Sequence, residues 1–210
     1  MPHAIIEGME FTLFYDYDQL YQRKLSRLSD LGLMEWLSAR MQMVFVEPVS
    51  RILDPTSRAH LELHSHSGEY DPPRTLAIAI FSTVLNGVEA CGSFLGKTRN
   101  RDRFVDFIIR YMRTWDKHIK GTHYRTDYLP DILWHHFRNA IAHQFSIEGG
   151  GIEYELKKRW VVRSGMLEVN PRLFFEDFLR GMNRYFRNVR KVGSAERASF
   201  LRRFQAAYPH

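Results

Sequence analysis

The chain has 210 residues, of which 44% are hydrophobic and 26% charged. This balance excludes general disorder, and the length suits one domain built around a single core. The only cysteine, Cys91, excludes an internal disulfide and favours a reducing, cytoplasmic setting. The first residues lack the basic start and apolar run of a secretory signal.

Basic residues are concentrated near the C-terminus. The net charge is +6 and the pI is near 9.5. Between Arg172 and Arg203 there are nine lysines or arginines against three acids, a local balance of +6. Such a surface favours a polyanionic partner, most often nucleic acid, through counterion release, but it suits equally well a solvated face that maintains solubility.

The first quarter of the chain predicts two helices after an irregular start. Residues 5–17 are aromatic and irregular, so a short strand or a docking segment is expected there. Residues 18–29 carry one apolar stripe, and residues 31–53 are apolar on more than one face. Pro48 should kink or end the second helix, because proline lacks the amide donor and clashes with the preceding turn.

A loop with several histidines is predicted for residues 58–74. His60 and His64 are four residues apart, and His66 follows two later, a spacing that could chelate a metal if the backbone were helical and then extended. Because no cysteine or clear fourth ligand is near, we interpret the segment as a polar connection. We expect no metal and no cofactor.

A third helix is predicted over residues 75–96, apolar on nearly all sides at first, as in the middle of a bundle. Asn86 and Glu89 interrupt its apolar run, which indicates a buried helix rather than a membrane span. The Glu89 carboxylate needs a partner if it is buried, and Arg138 is a candidate. Alternatively, Glu89 lies at an exposed helix end.

The next helix is predicted from Arg101 to about Lys120, after a basic connection. Asn100 is a plausible cap at its start, and Gly121 a plausible stop at its end. Its apolar residues recur at spacings of three and four: Phe104, Phe107, Ile108, Tyr111, Met112 and Trp115.

The stretch from Tyr128 to Gln144 contains the pattern Arg-Asn-x-x-x-His. Pro130 suits the first turn of a helix that runs to about His143 or Gln144. At 100° per residue, one sector is apolar and should face the core: Leu133, Trp134, Phe137, Ala140 and Ile141. The opposite sector is mostly polar: His135, His136, Arg138, Asn139, Ala142 and His143.

Arg138, Asn139 and His143 suit phosphate chemistry. Asn139 lies four residues before His143 and can orient its imidazole. Histidine can act as a general base or acid, and arginine can grip a phosphate and stabilise its developing charge. Because RNA carries its own 2′-hydroxyl nucleophile, such a site could cleave it without metal. Two copies across a twofold axis would supply twice these groups, which predicts an isologous homodimer, with His135 in a supporting role.

The run from Arg138 to His143, late in a helical chain, resembles the motif of the HEPN (higher eukaryotes and prokaryotes nucleotide-binding) superfamily. The resemblance covers residues 75–143. It implies an up-and-down helical bundle in which Arg138, Asn139 and His143 take the motif positions where two chains meet. Many members are metal-independent endoribonucleases of toxin, phage-defence and CRISPR-associated systems, and some bind without cleaving.

The C-terminal part, residues 145–210, predicts an annex to this single domain of residues 1–210. Alternating runs around three glycines, and then around Trp160 and Met166, predict a small antiparallel hairpin and meander. Pro171 should begin a helix, and Ser194 should cap a last one. The pattern therefore predicts a mainly α fold with a small antiparallel β-hairpin or meander after the helix that carries the motif, and the resemblance implies that the helices form an up-and-down helical bundle.

Three functions fit these observations. The first is a dimeric endoribonuclease with a surface that tracks RNA, formed by Arg99, Arg101, Arg103, Arg180, Arg184, Arg187, Arg190 and Lys191. The second is a non-catalytic RNA- or nucleotide-binding HEPN module with a regulatory or antitoxin partner. The third is an unrelated helical protein in which Arg138 pairs with an acid such as Glu89 or Asp131. In that protein, His143 would cap the C-terminal end of its helix, near the negative end of the helix dipole. None of the three requires a membrane.

Overall fold

The computed structural model describes residues 3–12, 23–54, 72–141 and 150–207. These residues are mostly helical, with one two-stranded and one three-stranded sheet. The expectation of a mainly α chain with a small β component is therefore confirmed. The expected helix over residues 18–29 lies partly outside the described residues, within which residues 23–25 are helical.

A β-hairpin occupies the start of the described chain. Strands β1 (His3–Ile6) and β2 (Met9–Thr12) pair antiparallel, and the turn between them places Glu7 and Gly8 at φ of 49° and 77°. The Glu7 carboxylate accepts hydrogen bonds from the backbone N–H, at 2.9 Å, and from the hydroxyl of Ser29. Because Ser29 also caps the following helix, these bonds attach the hairpin to that helix.

The helix predicted for residues 31–53 forms, but in three segments. Helix α1 (Asp30–Met41) continues through a π-helical segment, Gln42–Val46, into α2 (Glu47–Leu53). The N–H of Glu47 donates to the carbonyl of Gln42, five residues earlier. The π-helical turn, which is wider than an α-helical turn, lies directly before Pro48. In a regular α-helix, the proline ring would clash with a backbone carbonyl of the preceding turn. Pro48 therefore coincides with a local change of helix type rather than with the end of the helix.

Helix α3 (Pro72–Gly92) lies at the centre of the core. Its side chains Ile80, Phe81, Val84, Leu85, Val88 and Cys91 are all buried. It begins earlier than predicted, at the proline pair assigned to the preceding loop, because proline is tolerated in a first helical turn. Burial raises the pKa of the Cys91 thiol well above its usual range. No helix in the described ranges is long and apolar enough to cross a membrane.

Helix α4 (Asn100–Tyr111) ends well before Lys120, so the predicted end of this helix was wrong. After Tyr111 the chain folds back on itself: the N–H of Ile119 donates to the carbonyl of Asp127 at 2.7 Å. Backbone hydrogen bonds of this kind take the place of helical hydrogen bonds and close a loop around Gly121, whose φ is 78°. Asn100 is the first helical residue rather than the cap. The predicted apolar stripe is nevertheless buried throughout.

The second sheet has the order β3-β5-β4. Strands β4 (Trp160–Arg163) and β5 (Met166–Val169) form an antiparallel hairpin. Strand β3 (Gly150–Ile152) pairs with β5 in parallel, so the expectation of a wholly antiparallel meander was wrong. A crossing segment separates β3 from the hairpin, and the Asn170 side chain fixes it by donating to two of its carbonyls. The predicted strand residues 145–149 lie outside the described chain.

The last two helices form as predicted. Helix α6 (Pro171–Val189) is capped by Asn170 and buries its apolar stripe: Phe174, Phe178, Met182, Tyr185, Phe186 and Val189. In α7 (Ala195–Ala207), the Ser194 hydroxyl accepts from the N–H of Arg197 at 3.1 Å, as expected of an N-cap. Phe200 and Phe204 are buried on its inner face.

Candidate functional site

The motif helix is only partly α-helical. A short helix, α5 (Leu129–Ile132), continues into a second π-helical segment, Leu133–Asn139, and residues 140–141 are again helical. The side chains predicted to face the core are all buried: Leu133, Trp134, Phe137, Ala140 and Ile141. Isolated π turns are frequent at functional sites, where they reorient side chains. Ala142 and His143 lie outside the described residues, so the position of His143 relative to Arg138 stays a prediction.

Arg138 forms an ion pair with Glu89 of α3, with 2.6 Å between the Nη2 and Oε2 atoms. Both side chains are largely buried, at 20% and 16% exposure. Of the two acids considered as partners of Arg138, Glu89 is therefore the one that it contacts. A pair at this depth is shielded from water, which strengthens it relative to a surface pair.

Two further contacts hold the Arg138 guanidinium. It stacks over the Trp134 ring at 4.9 Å, and its Nη1 donates to the Asn139 side-chain oxygen at 3.3 Å. The Nε is buried and donates to no group in the described part of the chain. An unpaired buried donor costs free energy, which the contacts with Glu89, Trp134 and Asn139 must offset.

Asp131 forms its ion pair with a different arginine. Arg101 of α4 donates to both of its carboxylate oxygens, at 2.7 and 2.8 Å, and also contacts Asp102. Trp134 lies between the two ion pairs along the motif helix, and its ring packs on Phe104 of α4 at 5.4 Å. Helix α4 thus holds the motif helix at one point by a salt bridge and at the next by aromatic packing.

A close contact between α3 and α4 positions Glu89. A Cβ atom on Gly92 would lie 2.1 Å from the carbonyl oxygen of Arg103, so only glycine permits the observed approach of the two backbones. Glu89 precedes Gly92 by three residues and therefore lies on nearly the same face of α3. This contact sets the spacing between α3 and α4 one turn beyond Glu89.

The arginines and the lysine predicted to bind RNA fall into two groups. Three of them are engaged within the protein: Arg101 with Asp131, Arg103 with the Lys97 carbonyl and the Asn100 side chain, and Arg180 with Asp177. The others are exposed, and their side chains form no ion pair with a described residue: Arg99, Arg184, Arg187, Arg190 and Lys191. The exposed group is free to meet phosphates.

The histidines do not form a metal site within the described ranges. His135 is exposed, and His136 stacks on Tyr124 with 4.5 Å between ring centroids. His60, His64 and His66 lie outside the described chain. Among the residues that are described, no group of three or more His, Cys, Asp or Glu side chains could hold a metal ion.

Sequence reasoning missed a buried carboxylate in α6. Asp177 accepts hydrogen bonds from the Trp115 indole at 2.9 Å, from Thr114 at 3.2 Å and from Arg159 at 2.6 Å, and it pairs with Arg180. It is 6% exposed. The one signal for it in the sequence was an acidic residue on the apolar side of an amphipathic helix. A buried carboxylate at such a position needs hydrogen-bond or ion-pair partners. Its partners are all supplied by the protein, which indicates a structural role.

No protein-family model, curated protein or solved structure matches this chain at a significant level of similarity. Function is therefore inferred from the chemistry of the site. The described part of the site offers one oriented guanidinium, one carboxylate and one carboxamide. The guanidinium and the carboxamide can bind and orient a phosphate, and a proton-transfer group is still needed for cleavage.

Proposed function

We propose that the protein is a metal-independent endoribonuclease of the toxin or defence type. Its catalytic residues are Arg138, Asn139 and His143, and it acts as a HEPN-like homodimer through the face that carries them. The observation that carries the proposal is the state of Arg138. It is oriented by Glu89, Trp134 and Asn139, and its buried Nε has no acceptor among the described residues.

In the proposed reaction, His143 of one copy removes the proton from a ribose 2′-hydroxyl. The 2′-oxygen attacks the adjacent phosphorus, and the bond from phosphorus to the 5′-oxygen breaks. His143 of the second copy protonates that 5′-oxygen, so the products carry a 2′,3′-cyclic phosphate and a 5′-hydroxyl. Arg138 stabilises the added negative charge on the phosphate oxygens, and Asn139 orients His143.

Glu89 supports this role by positioning Arg138. The stacked and paired guanidinium has little rotational freedom, so less entropy is lost when it binds a phosphate. His135 is exposed on the same segment and can assist from solvent. RNA reaches the site along the exposed basic residues, of which Arg99 precedes α4 and Arg184 and Arg187 lie on α6.

A second function is favoured by the same ion pair. The Glu89 carboxylate neutralises Arg138 and would repel a phosphate placed beside it. Under this alternative, the chain is a non-catalytic RNA- or nucleotide-binding module. It would act through a separate regulatory or antitoxin partner.

The deciding experiment is an RNA cleavage assay in EDTA that compares wild type with Arg138→Ala and His143→Ala. We expect wild type to produce 2′,3′-cyclic phosphate ends and both variants to lose at least about a hundredfold in rate. Arg125→Ala is the matched control. Arg125 is exposed, and its side chain has no ion pair with a described residue.

Glu89→Gln separates the two functions. If Glu89 positions a catalytic arginine, cleavage falls about tenfold at saturating RNA while RNA affinity is kept. Tighter RNA binding by Glu89→Gln, together with no cleavage by wild type, would support the binding module. Full cleavage by His143→Ala would contradict the proposed mechanism.

A further inference from the structure

A pocket built from other residues lies between the α3–α4 connection, α4 and α7. Its volume is about 330 Å³, within the range of about 300–1,000 Å³ that small-ligand sites occupy. Its charged lining residues are Lys97, Arg110, Arg202 and Glu196. Three cations and one carboxylate give the lining a net charge of +2, which favours an anionic ligand.

The three cations keep donors available. The Nε of Arg110 donates to Asp106 at 3.0 Å, which leaves both terminal amino groups of Arg110 without a described acceptor. The side chains of Lys97 and Arg202 form no hydrogen bond or ion pair with any residue of the described ranges. Cations that line one pocket repel each other, and a bound anion with several oxygens would relieve that repulsion.

The backbone of the pocket is fixed before any ligand binds. Arg203 donates to the carbonyls of Gly96 and Lys97, the latter at 3.0 Å, and Arg103 donates to the Lys97 carbonyl at 3.1 Å. The Ser199 hydroxyl donates to the Phe94 carbonyl at 3.0 Å. These bonds attach the α3–α4 connection to α7, so a ligand would find the connection already ordered.

Glu196 gives the pocket a second chemical character. It accepts a hydrogen bond from the Tyr111 hydroxyl at 3.3 Å. A carboxylate weakens the binding of a simple anion, but it accepts hydrogen bonds from hydroxyl groups. Arg110 neighbours Tyr111 along α4, so cationic and acceptor groups lie together in one small space. A ligand that carries both a phosphate and hydroxyl donors satisfies both.

We infer that this pocket binds a phosphorylated ribose, either as a free ribonucleotide or as the 5′-terminal nucleotide of an RNA. Lys97, Arg110 and Arg202 contact the phosphate, and Glu196 accepts from ribose hydroxyls. The pocket shares no residue with the Arg138 cluster. Its binding therefore does not depend on cleavage at that cluster.

The test is calorimetric titration of the full chain with AMP, dAMP and inorganic phosphate. We expect AMP to bind more tightly than the other two, since only AMP offers the phosphate and both vicinal ribose hydroxyls. Arg202→Ala should weaken AMP binding about tenfold, as expected for the loss of one charge-assisted contact. Arg125→Ala, which removes the same charge from a different exposed site, should bind AMP like wild type.

Glu196→Gln tests the ribose contact separately. This variant should bind AMP several-fold more weakly and inorganic phosphate no more weakly than wild type. Equal affinities of wild type for AMP and phosphate, both unchanged in Glu196→Gln, would overturn the assignment of ribose. Unchanged AMP binding by Arg202→Ala, or no saturation by AMP or RNA in the millimolar range, would overturn the site itself.

A short RNA with a 5′-phosphate, compared with the same RNA bearing a 5′-hydroxyl, identifies the source of the ligand. Tighter binding of the phosphorylated RNA than of AMP supports an RNA end, and the reverse order supports a free nucleotide. Loss of AMP binding in Arg202→Ala, with RNA cleavage unchanged, would assign the AMP site to this pocket and not to the Arg138 cluster. A failure of the proposed cleavage would thus be distinguished from a failure of this pocket.

Discussion

The Arg138 guanidinium and the Glu89 carboxylate meet at 2.6 Å between the motif helix and α3. Because each side chain is no more than 20% exposed, removing either one leaves a mostly buried charge without its partner. The pair therefore contributes both to the packing of these two helices and to the orientation of the proposed catalytic arginine.

Breaking this pair should destabilise the fold. We expect Glu89→Gln to lower the free energy of unfolding by about 1–3 kcal/mol, because Arg138 then keeps a mostly buried and unpaired charge. Urea denaturation followed by circular dichroism measures the change. The control is Glu47→Gln, whose 3.7 Å pair with Arg51 is well exposed and should contribute little. A Glu89→Gln effect no larger than the control would contradict the structural role.

The buried Asp177 should make stability depend on pH. Burial by itself raises the pKa of Asp177, but hydrogen bonds from Arg159, Arg180 and Trp115 outweigh it and hold the pKa below its usual range. Such a group stabilises the fold fully above its unfolded pKa of about 3.9, and the contribution is lost as pH falls through the folded value. The hydrogen bonds and ion pairs of the Asp177 carboxylate should therefore stabilise the fold most near neutral pH.

We therefore expect Asp177→Asn to destabilise by about 3 kcal/mol at pH 7. The difference from wild type should shrink as pH falls from about 5 to about 2. Urea unfolding of both proteins across this pH range gives the measurement. A difference that stays constant down to pH 2 would show that the charge of Asp177 is not what stabilises the fold.

Gly92 should not tolerate a side chain. In Gly92→Ala the new Cβ would lie 2.1 Å from the Arg103 carbonyl oxygen, and neither backbone can move without separating α3 from α4. We expect a loss of about 3 kcal/mol in thermal or urea unfolding. Gly151→Ala is the control, because its Cβ would meet the Glu168 side chain at an ordinary 3.4 Å. Similar stabilities of the two variants would contradict the close contact.

The proposed RNA-binding residues should not contribute equally. Arg184→Ala and Arg187→Ala should each weaken RNA binding and reduce the salt dependence of the affinity by about one unit of slope. Arg180→Ala should have a smaller effect, because Asp177 already neutralises this arginine. Fluorescence anisotropy at several salt concentrations measures these slopes. Equal effects from all three variants would show that the ion pair does not reduce the contribution of Arg180.

The proposed dimer should be sensitive to charge on the motif face. We expect a mass of twice the 24.9 kDa chain by light scattering, and its reduction to a single chain in His135→Glu, because the added charges would face each other across the twofold axis. Val192→Glu adds the same charge at a site that is 89% exposed and should stay dimeric. A monomeric wild type would leave the proposed site without its second half.

The sequence by itself determined which side chains are buried. The spacing in residues 133–141 and in α6 predicted the inward residues correctly, even where the backbone is π-helical. This follows because apolar side chains must leave water whichever neighbour they meet. The sequence also indicated Glu89 as a partner for Arg138, since a carboxylate in an apolar helix needs a compensating group.

Only the tertiary structure decided how the elements end and pair. Helix α4 ends at Tyr111 because backbone groups of the following loop bond to each other, and β3 runs parallel to β5 because of a crossing segment. Arg138 pairs with Glu89 rather than with Asp131, because Asp131 is already paired with Arg101. Lys97, Arg110 and Arg202 share a pocket although they are far apart in the chain, and local spacing carries no information about such contacts.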